Sequence, residues 1–190
     1  MSYESLDIIH DEHRALAAML SGLGTLVAGI EAGRLQPDFN LMASMIDYIE
    51  KVPEKVHHPK EDAFLFAKLR LRSKEALPII EHLEEEHRQG DERIAALRTA
   101  LETYRQNGIA GLAGFQAALK TYTAHEWQHM NMEERMIFPL AKAHLSAEDW
   151  AEIDAAFLAN DNPWQGAAGE YAALFSRIVN IAPAPVGLGG

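Results

Sequence analysis

Residues 5–32 read SLDIIHDEHRALAAMLSGLGTLVAGIEA, and along them Leu6, Ile9, His13, Leu16, Leu20, Leu23, Val27 and Ile30 recur at steps of three and four. That period belongs to the α-helix, so the stretch is predicted to form one long amphipathic helix from about Ser5 to about Ala32, ended by Gly33. The stripe is apolar with one exception. His13 sits inside it, whereas His10 falls one position beside it.

The same reading extends along the chain. Gln36-Pro37-Asp38 breaks the helix, and Asp38 is placed to cap a second one carrying Leu41, Met42, Met45, Ile46 and Ile49. Pro53 and Pro59 each remove a backbone donor and crowd the preceding turn, so a kink or restart is predicted near Pro53, ahead of HHPKEDAFLFAKLRL. A third helix is expected to begin between Ser73 and Pro78, with Ile80, Leu83, His87, Gly90, Ile94, Leu97, Leu101 and Tyr104 along one face. Asn107-Gly108 closes it. A fourth runs from about Ala110 to His144 through Leu112, Phe115, Leu119, Tyr122, His129, Glu133, Met136 and Leu140, with Pro139 near its end. Ser146, followed by Glu148 and Asp149, opens a short fifth helix reaching about Leu158. Residues 160–163 read as a turn, a last amphipathic stretch carries Tyr171, Leu174, Phe175 and Ile178, and 181–190 read as a loose tail. Four long amphipathic helices on short connections fold most simply as an antiparallel four-helix bundle. The expectation is therefore an all-α chain, one domain over residues 1–180, with one or two short extra C-terminal helices.

Composition agrees. A chain of 190 residues, 48% apolar, can bury one core. It has no cysteine, so any metal must be held by nitrogen and oxygen, and iron–sulfur and Cys-type zinc sites are excluded. A formal net charge of −11 argues against nucleic-acid binding, which needs a basic face. The start MSYESLDIIHDEH has neither a basic segment nor an unbroken apolar run, and no apolar run of membrane-spanning length is read elsewhere. A cytoplasmic protein outside the membrane is the expectation.

The polar residues inside the stripes carry the chemistry. His57 with Glu61, and His129 with Glu133, place an imidazole and a carboxylate four residues apart, one above the other on a helical face. His13 and His87 interrupt otherwise apolar seams, and a kink near Pro53 lets the adjacent His57 and His58 reach one centre. Burying these groups unpaired would cost several kcal/mol each, a penalty that coordination to a metal removes. The set His13, His57, His58, Glu61, His87, His129 and Glu133 is too large for one ion. It suits two ions bridged by two carboxylates, favouring iron or manganese and permitting zinc. His125 and Glu126 border the fourth stripe, and His125 and His10 are lesser candidate ligands. His82 and His144 read as non-ligating. Gly90 either leaves room beside His87 or lets helices pack closely. Phe64, Phe66, Trp127, Met130, Met132 and Met136 read as packing, and Glu84-Glu85-Glu86 as a solvated face. No Ser/His/Asp arrangement, phosphate loop or H-E-x-x-H supports a hydrolase or nucleotide site.

His13, His57-x-x-x-Glu61, His87 and His129-x-x-x-Glu133, in that order on four successive helices, resemble the hemerythrin-like, or HHE cation-binding, family over roughly residues 5–145. The resemblance implies a non-haem di-iron site, with Glu61 and Glu133 bridging, His13 and His57 on one iron, and His87 and His129 on the other. It implies a protein that binds or senses dioxygen, nitric oxide or iron and redox state. A redox enzyme acting on peroxide, nitric oxide or ferrous iron, and a structural metal site, are the alternatives. The chain departs from oxygen-carrying hemerythrins, which have two histidines one turn apart on the third helix, because His82 and His87 are mis-spaced. His58 is the first candidate for the missing ligand, as in some relatives, and His125 the second. The helices after about Ser146 lie outside the motif and are expected to cover one end of the bundle or to mediate homodimerisation.

Overall fold

The computed structural model of the chain describes residues 3–159 and 172–181. The expected turn at 160–163, Tyr171 and all of the expected tail 181–190 except Ile181, which ends a helix, lie outside the described residues, as do the side chains of Phe175 and Ile178. Among the described residues the chain is helical and contains no strand. Helix α1 is Glu4–Glu31; α2 spans 39–72; α3 is Leu77–Arg88; α4 is Gly90–Asn107; α5 spans 109–144; α6 is Ala147–Leu158; and α7 is Ala172–Ile181.

The predicted boundaries have visible causes. Asp38 caps α2 by accepting a hydrogen bond from the Leu41 N–H at 2.9 Å. Ser146 and Asp149 form a reciprocal capping box at the start of α6. Gly108, between α4 and α5, has φ +58°, a conformation that side chains with a Cβ rarely adopt.

One expectation about continuity is corrected, and the choice between a kink and a restart near Pro53 is narrowed. The third predicted helix is two, because the chain loosens at Gln89 (φ −91°, ψ −4°) between α3 and α4. There Gly90 lies against α2, and a Cβ on it would meet Glu54 Oε2 at 2.0 Å. Pro53, by contrast, does not restart α2. It sits inside a π-helical segment, Glu50–His57, and a second such segment, Glu61–Phe66, follows after one short turn. A third, Glu133–Ile137, interrupts α5. The wider π turn takes an extra residue and so rotates everything after it. This is why Met136, expected inward, is 44% exposed while Ile137 and Phe138 are buried.

The core divides into two apolar clusters with a polar layer between them. One cluster holds Leu16, Met19, Leu23, Met45, Ile49, Ile94, Leu119 and Tyr122 among others. The other holds Leu6, Ile9, Leu65, Phe66, Ile80, Leu83, Ile137 and Phe138, and is closed by Trp150, Ile153 and Phe157 of α6. α1 passes from the second cluster to the first, α2 returns, α3 with α4 crosses again, and α5 returns. Successive rods therefore cross the polar layer in alternating directions. α7 packs on α1 and α2, with Leu174 buried. By length and composition α1 alone among the described helices could cross a membrane, at a mean hydropathy of 1.3. Its apolar face is instead occupied, with 67% of that window buried inside the protein.

Two outcomes are expected. Arg72 at the end of α2 holds Asp149 through Nε–Oδ2 at 2.8 Å and an Nη–Oδ1 contact at 3.2 Å. The guanidinium, with help from the Ser146 backbone, keeps the Asp149 carboxyl at about 2, below its ordinary 3.8. A depressed acid stabilises the fold above its ordinary value, and this is lost as pH falls. Asp149→Asn should lower stability by about 1 kcal/mol near neutrality. Urea titrations in a pH series should show the gap to wild type closing between about pH 4 and pH 2; a constant gap contradicts the assignment. Separately, Gly90→Ala should cost about 1–2 kcal/mol by crowding Glu54, yet cost little in a Glu54→Ala background. Equal costs in both backgrounds would show that the crowding is not with Glu54.

Candidate metal centre

Each π segment begins or ends at a residue of the polar layer. Glu50–His57 delivers His57 and His58 together, Glu61–Phe66 starts at Glu61, and Glu133–Ile137 starts at Glu133. Neighbouring residues on a regular helix diverge by about 100°. The loosened backbone of α2 nevertheless buries both histidines, with 4% and 6% exposure for His57 and His58. α1 brings His13, α3 brings His87, and α5 brings His129 and Glu133.

These side chains converge. His13, His57, Glu61 and Glu133 form one group whose ligand atoms all lie within 4.8 Å of one another. Glu61, His87, His129 and Glu133 form a second, and His58, His87 and His129 a third. Glu61 and Glu133 are thus common to the first two. His13 Nε2 lies 3.1 Å and His129 Nε2 3.2 Å from the Glu133 carboxylate, while His57 Nε2 is 3.4 Å from Glu61. His87 Nε2 lies 3.8 Å from Glu61 and 3.9 Å from Glu133, and 3.0 Å from His129 Nε2. The contacts to the two carboxylates are close but not aligned as hydrogen bonds, whereas His87 and His129 share one through their Nε2 atoms. Both oxygens of Glu61, both of Glu133 and His13 Nε2 are buried without a hydrogen-bond partner. Orphaned acceptors at the centre of a histidine cluster fit a cation, since buried polar groups otherwise find partners.

The outward nitrogens are all engaged. His13 Nδ1 meets Glu134 at 2.8 Å, His57 Nδ1 meets Glu12 at 2.6 Å, and His58 Nδ1 meets Glu54 at 3.2 Å. His87 Nδ1 meets Asp62, and His129 Nδ1 meets Glu86, each at 2.8 Å. Tyr122 donates to the other oxygen of Glu54 at 3.0 Å.

The electrostatics follow from this crowding. Burial, reinforced by the Glu133 charge, pushes the Glu61 carboxyl well up. Burial acts the same way on Glu133, but His129 and His13 override it and hold Glu133 well down. Burial lowers the His129 imidazole, and the opposing pull of Glu133 and Glu86 raises it to about 10. Burial and the neighbouring imidazoles push His58 well down, which favours its neutral, metal-ligating form. Deeper along α5, burial followed by Glu54 raises Glu126 to about 7.

Of the residues singled out in the sequence, His13, His57, His58, Glu61, His87, His129 and Glu133 come together. His125 does not join them: it stands at the edge of the site, its Nδ1 3.6 Å from Glu86, while its neighbour Glu126 turns inward. His10 and His144 are exposed, and His82 is 55% exposed. Two bland readings are corrected. Glu86 leaves the expected solvated face to meet His129, and Trp127, expected to pack, is 47% exposed. Sequence reasoning also missed Glu12, Glu54, Asp62 and Glu134. A signal existed for three of them, because Glu12, Asp62 and Glu134, like Glu86, each adjoin a histidine or glutamate of the cluster in sequence.

No curated protein and no solved structure matched the chain. The family model described as the hemerythrin HHE cation binding domain matches residues 4–141, most of the chain and every residue of the cluster. With its ordered histidines and glutamates gathered in one buried layer, the chain belongs to the hemerythrin HHE cation-binding family.

Proposed function

We propose that the chain is a non-haem di-iron protein, built as an antiparallel four-helix bundle, that binds or senses dioxygen, nitric oxide or the iron and redox state of its surroundings. The observation that carries this is the pair of overlapping ligand groups sharing Glu61 and Glu133. Two shared carboxylates between two sets of imidazoles suit two ions better than one. His13 and His57 would hold the first iron and His58, His87 and His129 the second. His58 therefore takes the place that the third helix, with His82 facing away, leaves unfilled. The donors are nitrogen and oxygen only, which favours iron or manganese while permitting zinc. Two irons with a coordination position left open supply redox-active centres that accept a small ligand.

The size of the space beside the cluster supports a small ligand. A cavity of about 10 Å³ touches Glu12, His13, His57, His58 and His129, with Leu16, Val52, Pro53 and Met130 as its apolar walls. That is room for about one water-sized molecule. A diatomic fits such a space far better than an organic substrate does.

The test is metal analysis joined to optical spectroscopy. Protein from iron-replete cells should contain two irons per chain and develop a charge-transfer band with oxygen or azide that reverses on removal. Zinc alone, or iron without such a band, overturns the reading. His58→Ala should weaken one of the two ions by at least about tenfold while the other stays bound, seen as a stoichiometry falling towards one at limiting iron. Unchanged binding of both ions would remove His58 from the site.

A further inference from the structure

The outward carboxylates follow a rule. Glu12 of α1 holds His57 of α2, Asp62 of α2 holds His87 of α3, Glu86 of α3 holds His129 of α5, and Glu134 of α5 holds His13 of α1. The sequence of contacts closes on itself after one circuit of the four rods. Each acid is also the chain neighbour of a residue in the central cluster, beside His13, Glu61, His87 and Glu133 respectively. One residue turns a helix by about 100°, so when the cluster residue points to the centre its neighbour points sideways, towards an adjacent rod. The neighbour alternates between the preceding residue, in Glu12 and Glu86, and the following residue, in Asp62 and Glu134. Because successive rods cross the layer in opposite directions, that alternation is what one common sense of rotation requires.

We propose that Glu12, Asp62, Glu86 and Glu134 form a closed ring of positioning residues, with Glu54 serving His58 in the same way, that holds each imidazole with its Nδ1 hydrogen on a carboxylate and its Nε2 aimed at the centre before any cation arrives. Each acid accepts the Nδ1 hydrogen, which leaves Nε2 as the atom that meets a cation at the centre. Carboxylates behind metal-bound histidines act in this manner, fixing the tautomer and raising ligand basicity. The ring further ties all four rods to one another across the layer where apolar packing is interrupted. It rests on the cation-binding reading of the cluster, but does not depend on the cation being iron.

The test uses the full-length chain, metal-free and loaded with zinc, which is diamagnetic. Long-range ¹H–¹⁵N spectra of the metal-free wild type should show a protonated Nδ1 on His13, His57, His58, His87 and His129. Glu134→Ala should move the His13 signals alone and Asp62→Ala those of His87 alone. Both acids are about one-third exposed, at 33% and 36%, so either variant can stand in if the other folds poorly. Zinc affinity, measured against a competing chelator, should fall about 10–100-fold in each alanine variant, and Glu134→Gln, whose amide oxygen still accepts, should recover most of it. Nδ1 left unprotonated in the wild type, or alanine variants binding zinc as the wild type does, overturns the ring. Zinc uptake without iron uptake, with all five Nδ1 protons present, overturns the di-iron reading while supporting the ring.

Discussion

Glu61 and Glu133 meet in the middle of the protein with no side-chain exposure at all. Two carboxylates so placed cannot both stay charged without a counter-charge, because an isolated ion in a low-dielectric interior costs far more than a fold's net stability. The imidazoles around them are the first part of the response, with His129 carrying its charge well past neutrality and Glu61 driven towards its protonated form. The division of the core is the second. An unbroken apolar core would have to exclude this layer, whereas two apolar clusters, one on either side, bury it between them.

Getting the ligands into that layer strains the helical period. A regular α-helix carries His57 and Glu61 on one face but turns His58 away from it. Loosening α2 into π turns before and after His58 brings all three residues inward, and Pro53 suits the first of those turns because it has no N–H to donate. α5 makes the same adjustment at Glu133. The distortions sit where the chemistry is, as π turns often do. Gly90 belongs with them, since only a residue without a Cβ leaves the Glu54 carboxylate its position between His58 and Tyr122.

Much of this was legible in the sequence, for a physical reason. Burial repeats with the helical period, so the stripes of α1, α2 and α5 and the histidines within them could be read directly. The caps at Asp38 and Ser146 were equally plain. What could not be read were the consequences of a change of period. A stripe continued past Glu133 at 3.6 residues per turn points Met136 inward, whereas the π turn there makes Ile137 the buried residue. Glu86 and its counterparts escaped for a different reason. They lie off the apolar stripes and look solvated, and their partners are on other rods, so no spacing along one helix announces them.

The two halves of the centre are unequal, and the inequality bears on what a bound ligand could be. With Glu61 and Glu133 shared, the first group offers two imidazoles and the second, once His58 is counted, three. On the proposed di-iron reading the ion beside His13 and His57 is therefore the less saturated one. The small cavity reaches both of these histidines, and its remaining walls are largely apolar. A charged ligand would lose its hydration there with only Glu12 and the imidazoles to replace it, and Glu12 would repel an anion. On the same proposed reading a neutral diatomic would lose almost nothing on entry, so the apolar walls would disfavour a charged ligand as the volume would disfavour a large one.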